Sequence, residues 1–421
     1  MRKRRWTILL AAILLSGGLL WAFFCHEPIQ EGRCTLRRKA VGDPGKNQLV
    51  SLAGQALEFT SSCPNDVRDL PNGFRRPRFS HITAGGESLP VGLDFSSEPR
   101  LCLDTNRDGL LSNERCFHAK TVQPYPREPY WRFGPISVTS SPQKDQAAGA
   151  FYVLYRVRNR NKVQGEFFYP GSLYPASHWY GRLRLDGRIY KVAVVDGDYD
   201  GQFRSIVSVP VDRGRRVPGC DVFAIDRNRD GKFECSLDTQ SEVAPLSRLL
   251  LLNDRYYAVN ITADGGKLEL IPAEPEQGQL VVDAPDAKLQ LRLWSDAADQ
   301  YLSPAGTRWD LPAGKYQTLA AVLRLRDAAG NEWAFTTGEL ATFEIRPEQT
   351  TRLRAGPPFV VTSRVKQVNP EWVSINLAVV GCAGEEYQAS FQRNGRRPPE
   401  PTFQIIDEKG AVLVADKFQY G

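Results

Sequence analysis

Residues 190–201 read YKVAVVDGDYDG, a run of β-branched and apolar residues that passes directly into a short acidic segment. Val and Tyr favour extended strands, whereas Asp and Gly favour tight turns. The stretch therefore predicts a strand that ends in an acidic loop. A second apolar run, VFAI at residues 222–225, enters a similar segment at Asp226. We expect both loops to lie at the ends of β-hairpins.

Three segments share the pattern D-x-[DN]-x-D-G, and we call them loop one (residues 104–109), loop two (196–201) and loop three (226–231). Chance gives on the order of 0.01 matches in a chain of this size. Such a loop can present side-chain oxygens from positions 1, 3 and 5 and a carbonyl from position 7, which suits a hard cation such as calcium. The alternative is that each Asp-Gly pair is an ordinary hairpin turn. Three matches with full spacing favour the metal.

The three loops resemble the calcium loops of EF-hands and, more closely, the Asp-rich loops of dockerins and thrombospondin-type repeats in exported proteins. The chain as a whole resembles an exported, bacterial-type β-sandwich protein that carries such loops. The resemblance to calcium loops covers little more than the loops and implies calcium as the cofactor. It also implies a set of ligands in each loop: Asp104, Asn106, Asp108 and the carbonyl of Leu110, with Glu114 nearby; Asp196, Asp198, Asp200 and the carbonyl of Gln202; and Asp226, Asn228, Asp230 and the carbonyl of Lys232, with Glu234 nearby.

The loops depart from an EF-hand at the closing ligand. An EF-hand supplies a bidentate Glu at position 12. Those positions here hold Arg115, Val207 and Leu237. Acids stand near the ends of loops one and three, whereas loop two has none nearby. A distant residue or water must therefore complete the coordination of an ion at loop two.

The chain as a whole predicts a mainly β fold with several units. Its 421 residues allow about three domains. Short apolar stretches alternate with turn residues over 48–275, which predicts an antiparallel β module that carries the hairpin loops. After a polar linker, strand-like runs predict an immunoglobulin-like β-sandwich over 278–357. The sequence PAGKY from Pro312 strengthens this resemblance. Residues 358–421 predict a second small sandwich or a continuation of the first.

The N-terminal segment predicts export. Four cationic residues, 2–5, precede an uncharged run from Trp6 to Phe24 that is long enough to cross a bilayer as a helix. Residues 1–25 are therefore a signal anchor or a cleaved signal peptide, and 26–47 a linker. Lipid attachment at Cys25 is a third option. Each option places the bulk of the chain outside the cytoplasm, with the membrane as a partner if the segment is retained.

Eight cysteines in an exported chain are candidates for disulfides. Cys102 and Cys116 bracket loop one, and Cys220 and Cys235 bracket loop three, so two bridges could staple the acidic loops. A pairing of Cys34 with Cys63 is a weaker possibility.

The sequence contains no H-E-x-x-H, G-x-S-x-G, Walker or G-x-G-x-x-G motif, so it favours a non-enzymatic role without settling the question. The net charge of +6 includes the four cations at residues 2–5, and the balance gives no reason to expect nucleic acid. We expect a membrane-tethered, extracytoplasmic, calcium-binding structural or interaction protein with a protein or glycan partner. The alternative is a carbohydrate-active hydrolase or a glycan-binding adhesion module, motivated by the aromatic residues around Trp179 and the many carboxylates.

Overall fold

The structure of the chain is a computed structural model. It describes residues 29–42, 48–84, 87–122, 130–138, 149–158, 167–168, 171–209, 219–235, 240–284, 286–303, 306–337, 340, 342–369, 372–387 and 391–418. The predicted anchor or signal segment, 1–25, lies outside these ranges. No helix in the described ranges has the length and apolar character needed to span a membrane.

The prediction of a mainly β fold is confirmed. The described residues form short strands joined by turns, with one four-residue α-helix. The elements of the first part of the chain, as far as residue 175, are β1 (Arg33–Thr35), β2 (Arg37–Ala40), α1 (Gln48–Ser51), β3 (Gln55–Leu57), β4 (Pro77–Ala84), β5 (Glu87–Asp94), β6 (Arg100–Leu103), a 3₁₀ turn (Leu111–Asn113), β7 (Cys116–His118), β8 (Lys120–Val122), β9 (Tyr130–Val138), β10 (Gly149–Arg158), β11 (Phe167–Phe168) and β12 (Gly171–Pro175).

The middle of the chain contributes a second set of strands, and these are β13 (Ser177–Leu185), β14 (Arg188–Val195), β15 (Val222–Ile225), β16 (Val243–Pro245), β17 (Leu249–Leu252), β18 (Arg255–Ile261) and β19 (Lys267–Ala273). The C-terminal strands are β20 (Gln277–Asp283), β21 (Ala287–Ser295), β22 (Gln300–Leu302), β23 (Arg308–Pro312), β24 (Gly314–Arg326), β25 (Glu332–Thr337), β26 (Phe343–Ile345), β27 (Thr350–Arg354), β28 (Val360–Asn369), β29 (Trp372–Val380), β30 (Glu386–Tyr387), β31 (Gln392–Arg393), β32 (Thr402–Ile406) and β33 (Val412–Lys417).

The sheets form three sandwich-like units, each with its own apolar core. In the first unit, the sheet β4-β5-β6-β7 and the sheet β3-β12-β10-β9-β8 supply the residues of one core. In the second unit, the sheets β16-β15-β14-β13-β2 and β1-β19-β18-β17 do the same. The third unit is built from β23-β20-β27 and β22-β21-β24-β25-β31. Among the strands of the described ranges, pairing is antiparallel except between β20 and β27, which run parallel.

The structure differs from the predicted domain organisation in two regions, the N-terminal linker and the C-terminal segment. Residues 33–40, assigned to a linker, form β1 and β2, which pair with β19 and β13. The side chains of β1 and β2 are mostly exposed, so these strands have no apolar pattern that would predict them from the sequence. They form because their backbones pair with the neighbouring strands. In the C-terminal region, Val379 and Tyr387 belong to the core of the third unit. Residues 402–417 form a separate two-stranded hairpin.

One of the two predicted disulfides is present. Cys102 and Cys116 are bonded, and they lie directly opposite each other on the paired strands β6 and β7. Cys220 is buried and Cys235 is exposed, and the two are not bonded to each other, so the predicted bridge between them is wrong. The physical reason is register, because the strand after loop three that pairs with β15 begins only at Val243. Cys34 and Cys63 are not bonded to each other either.

We expect Cys102→Ser with Cys116→Ser to lower the free energy of unfolding by about 3 kcal/mol, because a bridge over a loop of roughly 15 residues restricts the unfolded chain by that amount. Urea unfolding with a spectroscopic readout of the first unit measures the loss. Cys63→Ser, which removes an exposed thiol from the same unit, is the control. A double variant as stable as this control would contradict the stabilising role of the bridge.

Candidate metal centre

The three acidic loops share one backbone conformation. The residue at position 4 has a positive φ in each, and so does the glycine at position 6; the angles are +64°, +60° and +60° at Arg107, Tyr199 and Arg229, and +78°, +76° and +90° at Gly109, Gly201 and Gly231. Positive φ at position 6 explains the glycine there, because other residues adopt this conformation only with strain. The turn predicted from the D-G pairs is therefore present three times.

The loops also share their internal hydrogen bonds. The carboxylate at position 1 accepts a hydrogen bond from the amide of the glycine at position 6, at 2.9 Å in loop one and 3.0 Å in loops two and three. The side chain at position 5 accepts one from the amide at position 7, at 2.8, 2.6 and 2.8 Å. These bonds leave the second oxygen of each position 1 carboxylate for another partner.

Loop two brings three carboxylates together. Asp196, Asp198 and Asp221 each have an oxygen within 4.8 Å of the others, and this is the only such acidic group of three or more in the described ranges. Asp196 is 8% exposed and its Oδ1 has no hydrogen-bond partner there. Oδ1 of Asp198 is also buried without a partner. Buried polar atoms nearly always have a hydrogen-bond partner, so two buried carboxylate oxygens without one in the same acidic group indicate a ligand.

Strand register explains how Asp221 reaches the loop. β14 and β15 are antiparallel neighbours, and Val195 pairs with Val222 at their ends. The next residue of one strand is Asp196, and the preceding residue of the other is Asp221. Asp221 is fully buried and accepts hydrogen bonds from Gly197 N at 3.2 Å and from Ser205 N at 2.8 Å. Asp221 is therefore the distant residue that completes the acidic cluster at loop two, and its position in the sequence does not reveal this.

Burial and mutual repulsion shape the titration of this cluster. Burial, with added repulsion from Asp198 and Asp196, raises the pKa of Asp221 to about 9. Burial, with repulsion mainly from Asp198, raises the pKa of Asp196 well above its usual range. The pKa of Asp200 is raised as well, chiefly by burial. Carboxylates with raised pKa values gain most from a cation, because the cation offsets both the burial cost and the repulsion.

The surrounding fold fixes loop two on both sides. Tyr199 packs into the core of the first unit, and its hydroxyl donates a hydrogen bond to Ala53 O at 2.9 Å. Gly197 lies so close to the chain before β15 that an added Cβ would stand 2.1 Å from Cys220 O. Cys220 packs with Val207 and with Trp294 of the third unit. The carboxylates are therefore held in a rigid position where the three units come near one another.

Within the described part of the chain, loop one has no buried carboxylate oxygen that lacks a hydrogen-bond partner. Both oxygens of Asp104 accept backbone hydrogen bonds, from Arg107 N at 2.6 Å and Gly109 N at 2.9 Å. The second oxygen of Asp108 accepts from Asn113 Nδ2 at 2.6 Å and from Asn106 Nδ2 at 3.1 Å. The hydrogen bond from Asn113 is the main cause of the lowered pKa of Asp108. Loop one is stabilised by its own donors and by the Cys102–Cys116 bridge.

Loop three is intermediate between the other two. Asp226 is 2% exposed, and its Oδ1 is buried without a hydrogen-bond partner in the described ranges. Asn228, by contrast, uses its Oδ1 to accept from Asp230 N at 2.8 Å. Glu234, predicted to lie near the ion, is exposed. Loop three thus offers one oxygen that lacks a partner, where loop two offers two.

A second acid supports the backbone of every loop. Glu114 accepts hydrogen bonds from Thr105 N at 2.8 Å and Asn106 N at 3.0 Å in loop one. In loop three, Glu242 accepts from Asn228 N at 3.1 Å. Asp221 has this role in loop two. Glu114 is predicted from the sequence, whereas Asp221 and Glu242 are not. Asp221 stands just before β15, which pairs with the strand that runs into loop two, and Glu242 stands just before β16, which pairs with the strand that runs into loop three.

The aromatic residues around Trp179 do not form one exposed platform. Trp179 is half-buried and packs edge-to-face against Phe203, with ring centroids 6.1 Å apart. His178 is buried, whereas Tyr180 is 42% exposed. Trp179 therefore packs against the core of the second unit, and of the three described residues 178–180 only Tyr180 presents a large part of its ring to solvent.

The geometry defines a β-sandwich-like protein with a buried acidic cluster that could hold a metal ion. Comparisons with protein-family profiles, with curated protein sequences and with solved structures found no match to this chain. The residues themselves are therefore the basis for any statement about function.

Proposed function

We propose that the protein is an extracytoplasmic calcium-binding protein with a structural or interaction role rather than a catalytic one. The observation that carries the proposal is the pair of buried oxygens without partners, Asp196 Oδ1 and Asp198 Oδ1, beside the fully buried Asp221. In this proposal the ion lies at loop two and is bound by those carboxylates, by Asp200 and by the carbonyl of Gln202.

Calcium suits this donor set better than other common metals. The side chains are all carboxylates, which are hard oxygen ligands, and no histidine or cysteine is part of the acidic group. Calcium accepts six to eight oxygens in a flexible geometry, whereas Mg²⁺ requires a near-ideal octahedron and retains water. A loop with carboxylates at alternate positions supports the larger ion. The Cys102–Cys116 disulfide supports an oxidising, extracytoplasmic location, where calcium is plentiful.

The role follows from what the ion would hold together. Loop two lies between the cores of the first and second units, and Cys220, next to Asp221, packs against Trp294 of the third. An ion there would fix the end of β14 to the start of β15 and order the junction. We propose this as a structural function, with the exposed surfaces left for a partner.

We expect one tight calcium ion per chain, at loop two, and a weaker one at loop three. Isothermal titration calorimetry on metal-free full-length chain, with magnesium as a competitor, measures the affinity and the stoichiometry. Asp108→Asn in loop one is the matched control and should leave the tight site unchanged, because an Asn keeps the oxygen that accepts from Leu110 N at 2.8 Å and loop one has no buried carboxylate oxygen without a partner in the described ranges. A chain that binds no calcium at millimolar concentration, or loses its tight site through Asp108→Asn, would overturn the proposal.

A further inference from the structure

The exposed part of one face of the β2-β13-β14 sheet carries cations that form no ion pair with any described residue. Tyr180 and Arg182 stand on this face of β13, with Arg37 opposite Tyr180 on β2 and Lys191 opposite Arg182 on β14. Like charges directly opposite each other in a sheet are destabilising. The Arg182–Lys191 pair therefore costs stability, and an anion bound beside the two side chains would offset that cost.

A concave surface runs along these cations. One cavity of about 1150 Å³ is lined by residues of β1, β2, β13, β18 and β19, and a second of about 340 Å³ adjoins it at Tyr180, Gly181 and Arg182. We call the combined surface the basic groove and define it by Arg37, Lys39, Tyr180, Arg182, Lys191 and Lys267. Its volume and open shape suit an extended ligand rather than a small enclosed one.

The charge of the basic groove is strongly one-sided. None of its five cations forms an ion pair in the described part of the chain, and Lys191 donates instead to the backbone carbonyl of Gly231 at 3.1 Å. The only carboxylate among the described lining residues is Glu269, which pairs with Arg33. Asp264, in the turn before Lys267, accepts from Thr262 and Gly266, and its charge interacts with that of Lys267. A ligand with several negative charges would neutralise the remaining potential.

The uncharged residues that line the basic groove indicate which kind of polyanion would fit it. Tyr180 is 42% exposed and Lys39 lies over its ring, 5.6 Å from the centroid. Asn260 adds a polar amide to the wall. An aromatic ring beside amide and cationic donors fits a sugar ring with a charged substituent, which needs both stacking and hydrogen bonds. The concave shape is poorly suited to a flat bilayer surface.

We propose that the basic groove binds the chain of an acidic polysaccharide, with Arg37, Arg182 and Lys267 at its negatively charged groups and Tyr180 against a sugar ring. The groove and its charges do not depend on the ion at loop two, so this inference goes beyond the proposed calcium function and can fail separately from it.

The test uses full-length protein in calcium-containing buffer and an octasaccharide of hyaluronan, a glycan whose carboxylates alternate with neutral sugars. We expect binding in calorimetry that weakens as salt rises, since exposed charges are screened. Arg37→Gln with Arg182→Gln should weaken it by at least about tenfold, because hydrogen bonds to charged groups contribute this much or more. Arg184→Gln, on the same face of β13 but outside the groove, is the matched control and should change the affinity less than about twofold.

Two further measurements make the proposal specific. Tyr180→Ala should weaken hyaluronan binding and leave binding of a glutamate octapeptide unchanged, because only the sugar stacks on the ring. Melting temperatures no lower than that of the wild-type chain would show that the variants remain folded. The proposal is overturned if the octasaccharide does not bind, if Arg184→Gln weakens binding as much as the groove variants do, or if the glutamate peptide binds equally well. The last result would instead favour an acidic protein segment as the ligand.

Discussion

Asp198→Asn should stabilise the protein in a chelator and weaken its response to calcium, two effects of opposite sign. Asn occupies the same position in loops one and three, as Asn106 and Asn228, so the loop conformation accepts it. Without an ion, the substitution removes one of three carboxylates whose oxygens lie within 4.8 Å of one another. With an ion, it removes a charged ligand.

The magnitudes are large enough to measure. Two like charges about 4 Å apart repel by roughly 4 kcal/mol at an effective dielectric constant near 20, and partial protonation and solvent access reduce this to roughly 1–2 kcal/mol. Calcium at about one hundred times its dissociation constant stabilises the wild-type chain by about 2.7 kcal/mol. A tenfold loss of affinity in Asp198→Asn removes about 1.4 kcal/mol of that at the same concentration.

Denaturant unfolding of both chains, with chelator and with calcium, gives the four free energies that this prediction needs. Asp283→Asn is the control, because it removes an exposed carboxylate from β20 far along the chain from loop two. If Asp198→Asn lowers stability in chelator, the carboxylates do not repel one another as we argue. If it leaves the calcium response unchanged, the ion does not bind at loop two.

The sequence was informative where structure is local. The strand that runs into loop two and the strand at 222–225 are both present, as β14 and β15. The turn at each D-x-[DN]-x-D-G segment depends on residues a few positions apart, and positive φ at the glycine follows from residue type. The spacing also identified Asp196 and Asp198, the two members of the acidic cluster that belong to the loop itself.

The misses have a common physical cause, which is strand register. Asp221 and Glu242 reach their loops because β15 pairs with β14 and β16. Cys102 meets Cys116 because β6 and β7 place them opposite each other, whereas the similar spacing of Cys220 and Cys235 gives no such pairing. Register depends on contacts between distant segments, which one sequence does not specify. The short, exposed strands β1 and β2 were missed for the same reason.

The basic groove shows a further limit of local patterns. In the sequence, Arg182 and Lys191 are ordinary cationic residues, and only the pairing of β13 with β14 places them directly opposite each other. Arg37 was assigned to a linker, yet β2 aligns it with Tyr180. The chemistry of both the acidic cluster and the groove thus arises where strands that are separate in sequence become neighbours.

Calcium should also reverse the dependence of stability on pH. In chelator, the native pKa of Asp221 is about 9, against an ordinary value of 3.8. Between about pH 4 and pH 9 the native state therefore binds more protons at this site than the unfolded state does. Unfolding releases protons in this range, so raising the pH favours unfolding. Asp196 and Asp200, whose pKa values are also raised, act in the same direction.

With calcium bound the sign changes. The ion favours the ionised carboxylates and lowers their native pKa values below those of the unfolded chain, so protons compete with the ion and stability falls as the pH is lowered. The free energies of unfolding in calcium and in chelator should therefore diverge as the pH rises from 5 towards 9. Asp283→Asn should show the same divergence as wild type, and Asp198→Asn a smaller one. Curves that stay parallel across this range would mean that the acidic cluster is not linked to the cation, because a metal bound by these carboxylates must displace the protons that the metal-free protein holds.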